Sequence, residues 1–212
     1  MKTIVTLYFY LFFALSASGQ TVVCLVRSDT VFAGTTDKSK INSIGKFNFV
    51  FAGPLDTIAT RELSRIATIS AHFNEFHDSS IHTLKKIFNA LFSNTHDQDS
   101  NFFNKQVLEY GVTRAISKVC FFGYEKGKPV LINISFYLNK RIKHPVVISY
   151  GEDLSPFAVF SGPPSVRKGA VGFPRNFGGA DEVQSTIRIV SNNDGPIDIL
   201  IITRKRSAWI RK

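Results

Sequence analysis

Residues 21–40 read Thr-Val-Val-Cys-Leu-Val-Arg-Ser-Asp-Thr-Val-Phe-Ala-Gly-Thr-Thr-Asp-Lys-Ser-Lys. Two runs rich in β-branched and apolar residues, 21–27 and 30–36, flank Ser28-Asp29, a pair suited to a two-residue hairpin turn. The pattern recurs immediately: a strand over 40–44, a turn at Gly45-Lys46 and a strand over 47–52. In that last strand Phe47, Phe49 and Phe51 alternate with Asn48, Val50 and Ala52, so one face is aromatic and must be covered by something bulky.

Helices supply the cover. Asp56 suits the cap of a helix from about residue 57, in which Ile58, Leu63, Ile66, Ile69 and Phe73 recur at helical spacing up to a break at residues 77–80. Ser80 caps a second helix whose stripe is Ile81, Leu84, Ile87, Phe88, Leu91 and Phe92. Both stripes read as core faces. Residues 94–101 are polar and loop-like, and 102–109 suit a short third helix. The chain then returns to strands: 115–124 and 129–137 about a turn at 125–128, then 146–150 and 157–160. Residues 161–179 are rich in Gly and Pro and read as loop. A helix over 181–190, a turn at 192–195 and an apolar strand over 196–203 complete the order. Strands grouped apart from helices predict an α+β fold, not a parallel α/β one.

The beginning of the chain has the pattern of a secretory leader. Lys2 precedes an apolar stretch of 12 residues, 4–15, and Ala17-Ser18-Gly19 presents small residues where a signal peptidase reads. Twelve residues fall short of the roughly 20 that span a bilayer. Residues 1–19 are therefore expected to be a cleaved signal peptide and residues 20–212 a single exported domain, periplasmic or secreted and free of the membrane. The remaining 193 of 212 residues suffice for one substantial core. If Thr21 becomes the first residue, it supplies both a hydroxyl nucleophile and an amine to act as its base. Cleavage after Gly19 leaves Gln20 first, so that chemistry requires the further removal of Gln20.

Other function classes find less support. The net charge of +10 favours anionic surfaces, but the basic residues are spread along the chain, with small clusters at 140–143 and 204–206. They bring no nucleic-acid motif with them. His72, His77, His82, His96 and His144 follow no metal-ligand spacing, and no motif calls for a cofactor. His72 and His77 are expected at the surface. Cys24 and Cys120 lie in strand-like segments, where export permits a disulfide and two buried thiols are equally acceptable.

Four segments carry a family resemblance: the strand opening at Thr21; Val31-Phe32-Ala33-Gly34 with Thr35-Thr36-Asp37-Lys38-Ser39-Lys40-Ile41; Phe51-Ala52-Gly53 followed by Asp56; and residues 193–201, Asn-Asp-Gly-Pro-Ile-Asp-Ile-Leu-Ile. In these the chain resembles the proteasome β-subunit and bacterial proteasome-like group of N-terminal-nucleophile hydrolases. The resemblance implies a four-layer αββα sandwich, two antiparallel sheets between helical layers. It also implies homo-oligomerisation and a peptide or amide substrate. By the same resemblance Thr21 is the nucleophile, Asp37 the carboxylate that orients Lys40, Lys40 the ammonium that lowers the amine's pKa, and the Gly53 amide an oxyanion donor.

The sequence also departs from that family. Matching Ala33-Gly34 puts Thr35 at the carboxylate position, whereas counting from Thr21 puts Asp37 there. Residues 190–195 lack the family's Asp-x-x-Ser-Gly-Gly pattern, and Ser117 and Ser161 are the candidates for its supporting serine. Two functions are therefore expected as alternatives: an exported threonine amidohydrolase or peptidase, and a noncatalytic exported protein that keeps the fold as a binding or assembly module.

Overall fold

β1 (Val22–Arg27) is buried on both faces over its first four residues, and the alternation of its side chains sorts the layers around it. It pairs antiparallel with β2 (Thr30–Thr35), in the register Val22↔Thr35 through Arg27↔Thr30, and on its other side with β8 (Phe157–Phe160). β2 also pairs with β9 (Asp198–Ile202), which in turn carries β10 (Ser207–Arg211) at the edge. The first sheet thus has the order β10-β9-β2-β1-β8. The second takes, in order, β3 (Asn42–Ile44), β4 (Phe47–Ala52), β5 (Ser117–Glu125), β6 (Lys128–Asn139) and β7 (Val146–Asp153). With helices α1 (Asp56–Ile69), α2 (Phe73–Gln98) and α3 (Gly179–Ser191), the chain is α+β with two antiparallel sheets.

This computed structural model describes residues 21–53, 55–108, 115–139, 146–153, 157–160, 178–191 and 194–212. The expected leader with Gln20, Ser161, His144, the loop over 161–177 and the first two residues of the 192–195 turn lie outside the described residues.

Two compact units divide the chain, and β4, β5 and β6 contribute residues to both. In one unit, Val22, Cys24 and Val26 of β1 join Val31, Ala33, Leu200 and Ile202 on one face of the first sheet. Against that face lie Ile41, Val50, Cys120, Phe122, Tyr124 and Leu131 from β4, β5, β6 and the approach to β3, so the two sheets share a dry core. The intervening positions, Val23 and Leu25 with Ile199, point the other way and pack on Val183 and Ile187 of α3. Contact there is close because β2 has a glycine beneath the helix. A Cβ on Gly34 would stand 2.1 Å from Val183 Cγ1. The buried Glu182 of α3 takes the guanidinium of Arg27 as a two-point partner, Nε to Oε2 at 2.8 Å and Nη2 to Oε1, so both carboxylate oxygens are engaged.

In the other unit α2 buries Phe73, Phe76, Leu84, Phe88 and Phe92. Phe88 stacks on Phe51 of β4, with centroids 6.3 Å apart, and meets Phe136 of β6 edge-on at 5.4 Å. This is the cover that the aromatic strand required. Ile197 and Ile199 of the terminal strand are covered by α3.

Several local expectations are corrected. The helix break falls at residues 70–72, not 77–80, because Ser70 turns extended after its N–H and hydroxyl both engage the Ile66 carbonyl. The Glu75 carboxylate then accepts the Ala71 N–H at 2.8 Å as α2 begins. His77, expected at the surface, is buried inside α2 with Nδ1 2.8 Å from Asp78 Oδ1. Residues 94–98 continue the helix, Thr95 bonding back to the Leu91 carbonyl. In α1 the buried stripe is Ala59, Leu63, Ile66 and Ala67, whereas Ile58 and Ile69 are exposed, Ile69 by 67%. At 100° per residue those two isoleucines flank the stripe instead of lying on it, and two alanines take the close positions. Residues 38–40, partly assigned to a strand, form a 3-10 turn (Lys38–Lys40). The last expected strand is β9, and the sequence reading missed the edge strand β10 that follows it across a turn closed by the Thr203 N–H on the Arg206 carbonyl.

Candidate active site

The register of β1 and β2 gathers three of the four sequence-selected residues at one end of the first sheet. Val22 pairs with Thr35, so buried Thr21 stands level with Thr36, one residue before Asp37. The chain leaves β2 there and turns at once. Thr35 Oγ1 donates to the Asp37 carbonyl and accepts the Asp37 N–H, both at 3.1 Å. Asp37 Oδ1 accepts the Ser39 N–H at 2.9 Å as the cap of the 3-10 turn, which the Lys40 N–H closes on the Asp37 carbonyl at 3.1 Å. Half-buried Lys40 is followed by Ile41, whose side chain enters the core between the sheets. The core residue anchors the turn, and the turn sets the backbone from which the lysine side chain departs.

Gly53 belongs to the other unit, just past β4. A Cβ built there would lie 2.6 Å from Ser117 Oγ, 2.7 Å from Ser117 Cβ and 3.1 Å from Ser117 Cα. Buried Ser117, at the start of β5, donates its hydroxyl to the Ala52 carbonyl at 3.1 Å. Glycine is required here for close approach, and the serine fixes the peptide that leads into the Gly53 amide. Pro54 follows, outside the described residues, and Leu55 then takes a left-handed conformation, φ 59°, to enter α1. This is a costly shape for a leucine.

A further charged group lies at the same sheet end as Thr21. Asp198 is cross-strand neighbour of Thr35 on one side and of Arg211 on the other. It is buried, and Arg211 grips it with Nε on Oδ1 at 2.9 Å and Nη2 on Oδ2 at 3.0 Å. Lys38 Nζ adds a contact to Oδ1 at 3.5 Å and lies 5.1 Å over the Trp209 ring. Hydrogen bonding from Arg211 outweighs burial, and with the charges of Arg211 and Lys38 it holds the Asp198 carboxyl below the usual carboxylate range. The same bond pushes the Arg211 guanidinium up. Asp198 is thus a fixed negative charge whose two oxygens both serve a guanidinium, an arrangement suited to holding cations in place and not to taking a proton. In the sequence it appeared as an interruption of an apolar strand. A lone carboxylate between isoleucines is itself the signal, since a buried charge needs a partner.

Among the described residues no group of three or more His, Cys, Asp or Glu side chains could hold a metal ion. No described helix is long and apolar enough to cross a membrane. No family model matches the chain, and no curated protein matches it.

Proposed function

We propose that this is an exported threonine amidohydrolase or peptidase of the N-terminal-nucleophile kind, built as a four-layer αββα sandwich. The observation that carries the reading is the position of Thr21: it heads a central strand, level with the turn that bears Asp37 and Lys40. After removal of residues 1–20, the Thr21 amine takes the proton of its own hydroxyl as Oγ bonds to the amide carbon of the substrate. Lys40, oriented by Asp37, lowers the proton affinity of that amine. The C–N bond then breaks, the amine leaves with the proton, and water hydrolyses the ester on Thr21.

The second reading is a noncatalytic binding or assembly module on the same fold. It is favoured by the Asp37 carboxylate accepting the Ser39 N–H and by the missing Asp-x-x-Ser-Gly-Gly pattern. N-terminal analysis of the exported protein separates the two. Free Thr21 at the terminus, with covalent labelling by a threonine-directed electrophile that Thr21→Ala abolishes, supports the hydrolase. Pyroglutamate formed from Gln20 removes the free amine and the hydrolase with it.

A further inference from the structure

Cys24 and Cys120 have no solvent-exposed surface, and both belong to the apolar cluster in which the two sheets meet. Cys24 lies midway along β1, whereas Cys120 lies in β5 of the other sheet. Directly across β2 from Cys24 is Ala33, so no bulky side chain fences the sulfur on that side. Both are free thiols, and in that cluster, where strands of the two sheets pack together, they are the two sulfur-bearing side chains. Burial first, and Cys24 after it, push the Cys120 thiol up. Nearly half the chain separates the two cysteines in sequence.

We propose that Cys24 and Cys120 are the two halves of a disulfide that staples the first sheet to the second when the chain folds in the presence of a disulfide oxidant. The exchange balances in two steps. One cysteine thiolate attacks the oxidant's disulfide, forming a mixed disulfide and releasing one oxidant thiolate. The other cysteine thiolate then attacks the protein sulfur of that mixed disulfide, forming the Cys24–Cys120 bond and releasing the second oxidant thiolate. Two protons leave the protein and two electrons pass to the oxidant. Burial raises the Cys120 thiol, and neither sulfur is open to an attacking reagent, so the exchange belongs to the stage before the sheets close. A chain that folds reduced keeps inert thiols. A bond closing so long a loop restricts the unfolded chain strongly.

The test compares two refolding reactions of the reduced, denatured exported chain, one with a glutathione redox pair and one with dithiothreitol. After oxidative refolding, alkylation in denaturant is expected to find no thiol, and the mass to be lower by two hydrogen atoms with no glutathione attached. The melting temperature is expected about 5–15 °C above that of the reduced form. Glutathione disulfide added to the folded, reduced protein should react on the order of 100-fold more slowly than with the denatured chain. Cys24→Ala and Cys120→Ala should each leave one titratable thiol and lose the thermal gain. Two free thiols after oxidative refolding, or glutathione adducts in place of the internal bond, would overturn the proposal. The same thiol count on protein exported and purified without reductant decides the matter independently of refolding.

Discussion

Replacing Gly53 by alanine tests the packing of Gly53 against Ser117. The new Cβ would lie 2.7 Å from Ser117 Cβ and 3.1 Å from Ser117 Cα, against about 3.5–4.0 Å for a relaxed carbon contact. Rotation of the Ser117 hydroxyl relieves the 2.6 Å approach to Oγ but not the other two, so the peptide or the start of β5 must move by roughly 1 Å. Overpacking of this kind costs about 1–3 kcal/mol, and loss of the Ser117 bond to the Ala52 carbonyl adds about 1 kcal/mol. The sum, roughly 2–4 kcal/mol, corresponds to about 5–15 °C in melting temperature for a chain of this size. The sign is informative. The backbone at Gly53 is not left-handed, so without the clash alanine would stabilise by about 0.4–1 kcal/mol through the unfolded state. Ser117→Gly removes the Cβ and Oγ contacts, so a double-mutant cycle read by thermal and urea unfolding should return a clearly favourable coupling between the two changes. A melting temperature for Gly53→Ala equal to or above wild type would refute the reasoning.

Three further outcomes are expected. The Asp198 carboxyl is held below its ordinary value in the folded chain, so its contribution to stability is complete above the unfolded-state value of about 4 and is lost as pH falls through the lower folded value. Urea midpoints measured from pH 5 downwards should show that acid loss, and Asp198→Asn should flatten it; identical acid limbs would remove Asp198 from the account. Phe88→Ala vacates the contact with Phe51 and Phe136 and should cost about 3–5 kcal/mol in chemical unfolding. Ile69→Ser, at an exposed position of α1, should change stability by no more than about 0.5 kcal/mol, whereas Leu63→Asp in the buried stripe should prevent folding, as circular dichroism would report.

The first hairpin, the aromatic face of β4, the hairpin of β5 and β6 and the amphipathic helices were all legible from residue order. Each is set by interactions within a few residues, through alternation, helical spacing or turn chemistry. The break between α1 and α2 was misplaced because residues 77–80 resemble a polar turn. The true stop depends on the bonds of Ser70 and Glu75. Edge strand β10 was missed, since an edge exposes most of its side chains and needs no apolar alternation.

For the candidate site, Thr21, Asp37, Lys40 and Gly53 were selected by resemblance, and Ser117 was one of two candidate serines. Nothing local in the sequence shows that Thr35 stands between Val22 and Asp198, that Arg211 closes on that carboxylate, or that Ser117 fills the space of a Gly53 side chain. The order of residues by itself determined where strands and helices form and which side of each is apolar. Which strands beyond the hairpins are neighbours, which charges pair with the buried carboxylates, and that Cys24 and Cys120 share one core cluster were decided only by tertiary structure, because the segments involved are brought together by burial that exists only once the sheets have closed.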